Sequence, residues 1–143
     1  MASSDACVYV VDDDDDVRDG LCRLLRSAGW EVIECASAAT FLATYDAGRC
    51  SCLLLAVSMP EMTGPELHEE LDARGIGIPV VFLTGKGDVG TSVRALKRGA
   101  LDFLEKPVDA DVLLEAIEAA VARCREMRAR RGQQDQVAER YAQ

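Results

Sequence analysis

The sequence predicts an α/β fold, a doubly wound parallel sheet of five strands with five helices packed on its two faces. Two patterns carry that expectation. Short apolar, β-branched runs alternate along the chain with segments whose apolar residues recur every three or four positions. The run Leu53-Leu54-Leu55, bounded by Ser51 on one side and by Pro60 and Gly64 on the other, is apolar at consecutive positions and so reads as a strand buried on both faces. Strict alternation of strand and helix demands right-handed crossovers, and these in turn demand parallel strands. A length of 143 residues, 49% of them hydrophobic, suffices for one core and one domain.

The elements follow in order. Residues 7–11 form a β-branched strand ended by aspartates, after which Val17, Leu21, Leu24, Leu25 and Ala28 recur at helical spacing until Gly29. Asp14, Asp15 and Asp16 are placed to cap that helix or to charge its first turn. Residues 30–35 are the second strand, and Ser37 caps a short helix carrying Phe41, Leu42 and Tyr45. Residues 52–56 are the central strand, followed by a Pro/Gly loop and a helix with Leu67 and Leu71. Residues 80–84 lead to a helix with Val93 and Leu96 that ends at Gly99, and residues 101–105 are the last strand. Val112, Leu113, Ile117, Ala120, Val121 and Cys124 make the final helix amphipathic. The domain is expected to span residues 7–125, with a disordered start at 1–6 and a helical linker at 126–143.

Composition narrows what such a domain can do. Acids outnumber bases 25 to 16, for a net charge of -9, which argues against phosphate-backbone binding by the main body. The far end is basic, with Arg123, Arg125, Arg128, Arg130 and Arg131, and a solvated helix face accounts for it more simply than contact with DNA or another domain. Six cysteines without a C-x-x-C pair or a signal peptide point to reduced thiols and a cytoplasmic protein. Zinc at Cys50 and Cys52 is not expected, because such a site needs four ligands and the one histidine, His68, lies elsewhere. No stretch reaches the roughly eighteen apolar residues of a membrane span, so no membrane partner is expected.

An open parallel sheet collects its chemistry outside the carboxyl ends of the strands. Asp12 and Asp13 follow the first strand, Ala56 closes the third, Thr84 closes the fourth and Lys106 follows the fifth. Adjacent carboxylates repel and imply a compensating cation, for which Mg2+ with oxygen ligands is the natural choice. Lys106 adds positive charge, Thr84 a hydroxyl donor, and Gly85 leaves room for a ligand. Together they suit a planar, highly charged phosphoryl group. The acceptor is what is missing, since the methyl group of Ala56 takes neither a metal nor a phosphoryl group.

In these motifs the chain resembles the receiver domains of two-component response regulators. Asp12-Asp13, Met59-Pro60-Glu61-Met62-Thr63-Gly64, Thr84-Gly85 and Lys106-Pro107 occur in the family's order, and the resemblance covers residues 7 to about 125. The run Thr84-Gly85-Lys86-Gly87-Asp88-Val89, with the segment from Lys97 to Pro107, is nearest to the subgroup with a LuxR-type helix-turn-helix output, a domain this sequence does not contain. The resemblance implies a flavodoxin-like strand order of 2-1-3-4-5 and a cis Lys106–Pro107 bond. It implies Mg2+ on Asp12, Asp13 and the Ser58 carbonyl, and a phosphoryl group met by Thr84 and Lys106. Thr84 and the aromatic Phe103 would be the switch. A sensor histidine kinase is the implied partner, with DNA reached only through the output domain. Ala56 stands where the family carries the phosphorylated aspartate, so the chain is expected to be unable to take a phosphoryl group and to hold Mg2+ less tightly. Ser58 lacks a base and is not expected to substitute. Two histories fit, a natural receiver that lost its acceptor or a deliberate replacement that locks the unphosphorylated state; retention of the acidic pair, Thr84 and Lys106 favours the second.

Two rival readings come from other classes. Val10-Val11-Asp12-Asp13-Asp14 also reads as apolar strand then D-x-D, which would make Asp12 the nucleophile of a metal-dependent phosphatase, but that reading leaves the Met-Pro loop and Lys106-Pro107 unexplained. The other is a phosphorylation-independent dimerisation module. Leu113, Ile117, Ala120, Cys124 and Met127 continue a seam of alternating fours and threes, through which the last helix would pair with its twin as a homodimer.

Overall fold

A computed structural model describes the backbone of residues 6–85 and 89–142, and the side chains of all of these except 89, 91, 92 and 132–142. The chain alternates β1 (Ala6–Val11), α1 (Asp15–Ser27), β2 (Glu31–Cys35), α2 (Ala38–Thr44), β3 (Cys50–Ala56), α3 (Gly64–Ala73), β4 (Val80–Thr84), α4 (Val89–Lys97), β5 (Asp102–Glu105) and α5 (Ala110–Ala142). The strands form one sheet in the order β2-β1-β3-β4-β5, every pair parallel. That is the predicted topology. Of the start expected to be disordered at 1–6, residues 1–5 lie outside the described residues and Ala6 already belongs to β1; Lys86, Gly87 and Asp88 of the fourth loop also lie outside the described residues.

Strand periodicity divides the core in two. In β1, Val8 and Val10 join Leu54, Leu21, Leu25, Leu113 and Ile117 on the face covered by α1 and α5. Cys7, Tyr9 and Val11 join Leu53, Leu55, Phe41, Leu67 and Leu71 on the face covered by α2 and α3. All seven residues of β3 are buried, as its consecutive leucines predict.

Local chemistry sets the helix starts. The Asp14 side chain accepts from the amides of Asp16 and Val17 to cap α1, and Ser37 accepts from Thr40 to cap α2. Thr63 and Glu66 form a reciprocal capping box at α3. Gly29 and Gly99 follow α1 and α4 with φ of 95° and 102°, a backbone region that glycine enters without steric cost. Trp30 lies outside β2 yet is buried against the α1 face. Boundary shifts elsewhere are small: β3 begins at Cys50 and β5 at Asp102.

Two expectations from helical spacing are corrected. Val93 and Leu96 are 45% and 39% exposed, and among the described side chains of α4 the one that reaches the core is Ala95. On this nine-residue helix the face that carries Ala95 meets the core, so the larger side chains of Val93 and Leu96 fall on faces turned to solvent. Val112 is 48% exposed for a related reason, because α5 presents Leu113 and Ile117 to the sheet instead. The proposed intermolecular seam is also redirected. Leu113, Ile117, Ala120 and Cys124 are buried in the domain's own core, and the Met127 methyl lies close to Gly77.

Candidate functional site

Sheet register brings the singled-out residues to one rim. Val11 pairs with Leu55, so the next residues of the two strands, Asp12 and Ala56, lie side by side. Ala56 pairs with Leu83 and Thr84 with Glu105, which puts Thr84 and Lys106 on the same edge. The Lys106 amide donates to the Thr84 carbonyl at 2.8 Å, and the Lys106–Pro107 bond is cis, as expected.

Asp12 is wholly buried and its carboxylate is unevenly satisfied. Oδ1 accepts from the Asp14 amide at 3.0 Å. Oδ2 lies 2.9 Å from the Lys106 ammonium nitrogen but has no aligned hydrogen-bond donor. The contact is therefore a close charge pair without directional bonding, and a buried carboxylate oxygen keeps lone pairs to offer. Asp13 is exposed, and among the described residues its carboxylate has no hydrogen-bond or ion-pair partner. Ser58, two residues past β3, is also exposed, whereas Ala56 has no exposed surface and its methyl group belongs to the α2/α3 core. Thr84 is 3% exposed and its hydroxyl donates to the Leu104 carbonyl at 3.4 Å, so it is turned toward β5. Phe103, next to Leu104 on β5, is half-buried against the same core.

Two structural roles escaped the sequence reading, those of Arg18 and of Gly64, the latter named there only as part of a loop motif. Arg18 Nη1 donates to the Asp12 carbonyl at 2.6 Å while its guanidinium pairs with Asp15 and Glu34, and the hydrogen bond it donates to the Asp15 carboxylate holds its pKa above the ordinary arginine value. Arg18 thus braces the acidic turn from behind. The i,i+3 spacing of Asp15 and Arg18 was the available signal. The other is Gly64, whose amide donates to the Val57 carbonyl at 2.9 Å and where a Cβ would stand 2.3 Å from the Ala56 carbonyl oxygen. Only glycine allows α3 to start so close to the end of β3.

The donors present suit a hard divalent cation. Asp12 and Asp13 are oxygen ligands, one with an unbonded buried oxygen, and Mg2+ takes one or two carboxylates with water. Among the described residues no group of three His, Cys, Asp or Glu gathers as a metal cluster. The cysteines are buried and unbridged. No described helix is long and apolar enough to cross a membrane.

A doubly wound parallel sheet of this strand order, with an acidic pair after its first strand and a lysine folded back onto Asp12 from its last loop, defines the flavodoxin-like receiver class. The chain belongs to the response regulator receiver domain family, whose sequence model matches residues 8–118. The response regulator protein TodT of Pseudomonas putida is 37% identical over 141 residues, covering 99% of this chain and 62% of that protein. The transcriptional regulatory protein FixJ of Azorhizobium caulinodans is 43% identical over 138 residues, covering 94% of this chain and 64% of that protein. The chain thus spans a little under two thirds of the length of these relatives. Among solved structures, response regulator StyR superposes with a TM-score of 0.91 at 45% identity, covering 97% of this chain and 70% of that one. The FixJ-N structure superposes with a TM-score of 0.78 at 41% identity, covering 84% and 96% respectively.

Proposed function

We propose that this chain is the receiver portion of a transcriptional response regulator in which Ala56 occupies the phosphoacceptor position, so that the chain takes no phosphoryl group. One observation carries the reading: the β1–β3 register sets Ala56 beside Asp12, with the Lys106 ammonium 2.9 Å from that carboxylate. The relatives' names support the transcriptional setting, FixJ being called a transcriptional regulatory protein.

In this reading Asp12, Asp13 and the Ser58 carbonyl hold Mg2+, which supplies positive charge to the site when bound. Lys106 reaches a phosphoryl oxygen only by leaving Asp12, and Thr84 only by releasing the Leu104 carbonyl. Thr84 and Phe103, one strand apart at Phe82↔Phe103 and Thr84↔Glu105, then move as the switch. Without a carboxylate at position 56 the resting arrangement persists. A sensor histidine kinase is the upstream partner, a LuxR-type helix-turn-helix domain is the output through which DNA is met, and the setting is the cytoplasm. Self-association belongs to the same reading, on surfaces other than the buried Leu113–Cys124 stripe, and light scattering at two concentrations measures it.

The deciding experiment is intact-mass spectrometry of this chain and of Ala56→Asp after incubation with acetyl phosphate and Mg2+. Ala56→Asp is expected to gain one phosphoryl group and the chain as it stands none. Uptake by the unaltered chain would overturn the reading, and uptake by neither would show that position 56 is not the acceptor.

A further inference from the structure

Among the described side chains of α5 the last buried one is Cys124, yet the helix continues to Ala142. A helix that leaves its core loses the packing that stabilises it, since a few exposed turns are marginal in water on their own. Past Cys124, Met127, Arg128 and Arg131 return to the domain. Arg128 donates through Nη2 to the Ala47 carbonyl at 2.6 Å and to the Arg49 carbonyl. Met127 Cε and Arg131 Nη2 lie 3.2 Å and 3.4 Å from the point where a Gly77 Cβ would stand. The helix is thus held by the loop before β3 and the loop before β4, at the end of the sheet opposite the acceptor rim.

The loop that receives Arg128 is itself tied down. The Asp46 amide donates at 2.9 Å to the hydroxyl of Tyr9, a buried residue of β1. The Gly48 amide donates to Asp46 Oδ1 at 2.8 Å, and Arg49 pairs with Glu31 at the start of β2. These bonds fix where the carbonyls of residues 47 and 49 point. Two fixed carbonyls converging on one guanidinium nitrogen take both of its N–H groups, and a charged donor makes such bonds about twice as strong as a neutral one. The path from the core to the outgoing helix is therefore continuous, from Tyr9 through the loop to Arg128.

We propose that Arg128 locks the first turns of α5 beyond the core to the base of the sheet, so that residues 125–131 turn with the domain as one body. Arg128 is a positioning residue in this role, and Met127 supports it by resting against the chain at Gly77. The lock stands on these contacts alone. Its consequence for signalling rests on the receiver reading: the loops at the base of the sheet, and not the acceptor rim directly, set the direction in which the helix leaves the receiver.

The test is NMR relaxation of the 15N-labelled chain, as it stands and with Arg128→Gln or Tyr9→Phe. Backbone order parameters at residues 125–131 are expected near about 0.85 in the unaltered chain, and Arg128→Gln should bring those at 128–131 below about 0.6 while β3 keeps its values. Glutamine has nearly the helix propensity of arginine, so a weaker helix former does not account for such a fall. Tyr9→Phe, a change in the core opposite the one that α5 covers, should lower the same order parameters by freeing the loop. The carbonyl 13C resonances of Ala47 and Arg49 should move in Arg128→Gln as their donor is lost. Unchanged order parameters at 128–131 in Arg128→Gln would overturn the proposal, as would a fall shared equally by β3, which reports general loosening. Unchanged values in Tyr9→Phe would overturn the part given to the loop. Phosphoryl uptake enters none of these measurements, so failure here is distinct from failure of the proposed function.

Discussion

Single atoms decide how the rim works. Gly64 sits where one added methyl group would fall 2.3 Å from the Ala56 carbonyl and 3.0 Å from the Phe82 ring. Backbone cannot yield there as a flexible side chain would, so Gly64→Ala should destabilise the domain by about 1–3 kcal/mol in urea unfolding, as overpacking does. Gly20→Ala, with nothing within 4 Å of its would-be Cβ, is the control and should be neutral or stabilising. Position 56 itself makes the second case. An aspartate there would bring a carboxylate from a fully buried position against Asp12, with Lys106 offsetting only part of the repulsion. In metal-free buffer Ala56→Asp should therefore melt at a lower temperature than this chain. Added Mg2+ should raise the melting temperature of Ala56→Asp far more, since saturation at about a hundred times Kd adds roughly 2.7 kcal/mol. Equal Mg2+ responses would show that the metal does not use position 56. Asp12 and Lys106 were legible in the sequence because a carboxylate and an amine at the ends of apolar strands have few other uses. Arg18 and Gly64 were not, because what they do depends on backbone atoms of other segments, which no side-chain pattern records.

At the scale of elements, the strands were easier to read than the faces of the helices. Period-two alternation leaves a strand only two faces, and a strand such as β3 that is buried throughout leaves no choice at all. A helix offers a stripe without saying what lies opposite. In α4 the larger apolar residues, Val93 and Leu96, face outward while Ala95 meets the core. The correction is measurable: Leu96→Gln should change stability by less than about 0.5 kcal/mol, the range of ordinary surface substitutions. Leu113→Ala, which empties a fully buried site on α5, should cost about 2–5 kcal/mol. The capping box of α3 gives a third value, since Thr63→Ala removes the acceptor for the Glu66 amide and should cost about 1 kcal/mol.

For the whole molecule, burial couples folding to alkaline pH. The Cys22 and Cys50 thiols are pushed by desolvation from 9.0 up to about 12, and the Tyr9 hydroxyl from 10.0 to about 12. The unfolded chain loses these protons first. Stability from these groups is therefore complete below pH 9 and declines as pH rises from about 9 to about 12, because the folded state must keep protons that the unfolded state has released. The urea midpoint should fall steeply between pH 9 and pH 11, and Cys22→Ala should shallow that slope. A flat profile across this interval would show that these groups ionise without regard to folding.

The seven buried residues of β3 have a further consequence, for the exchange of amide hydrogens with solvent. β3 lies at the middle of the sheet, between β1 and β4, and its side chains serve both cores. No partial opening exposes its amides while leaving either core intact. Deuterium should enter β3 and β1 only through global unfolding, at a free energy equal to that of the whole domain, while the four-residue edge strand β5 exchanges through smaller openings. The strand that ends at Ala56 is thus the last part of the molecule to let water in, and a change at residue 56 acts on the stability of the entire fold.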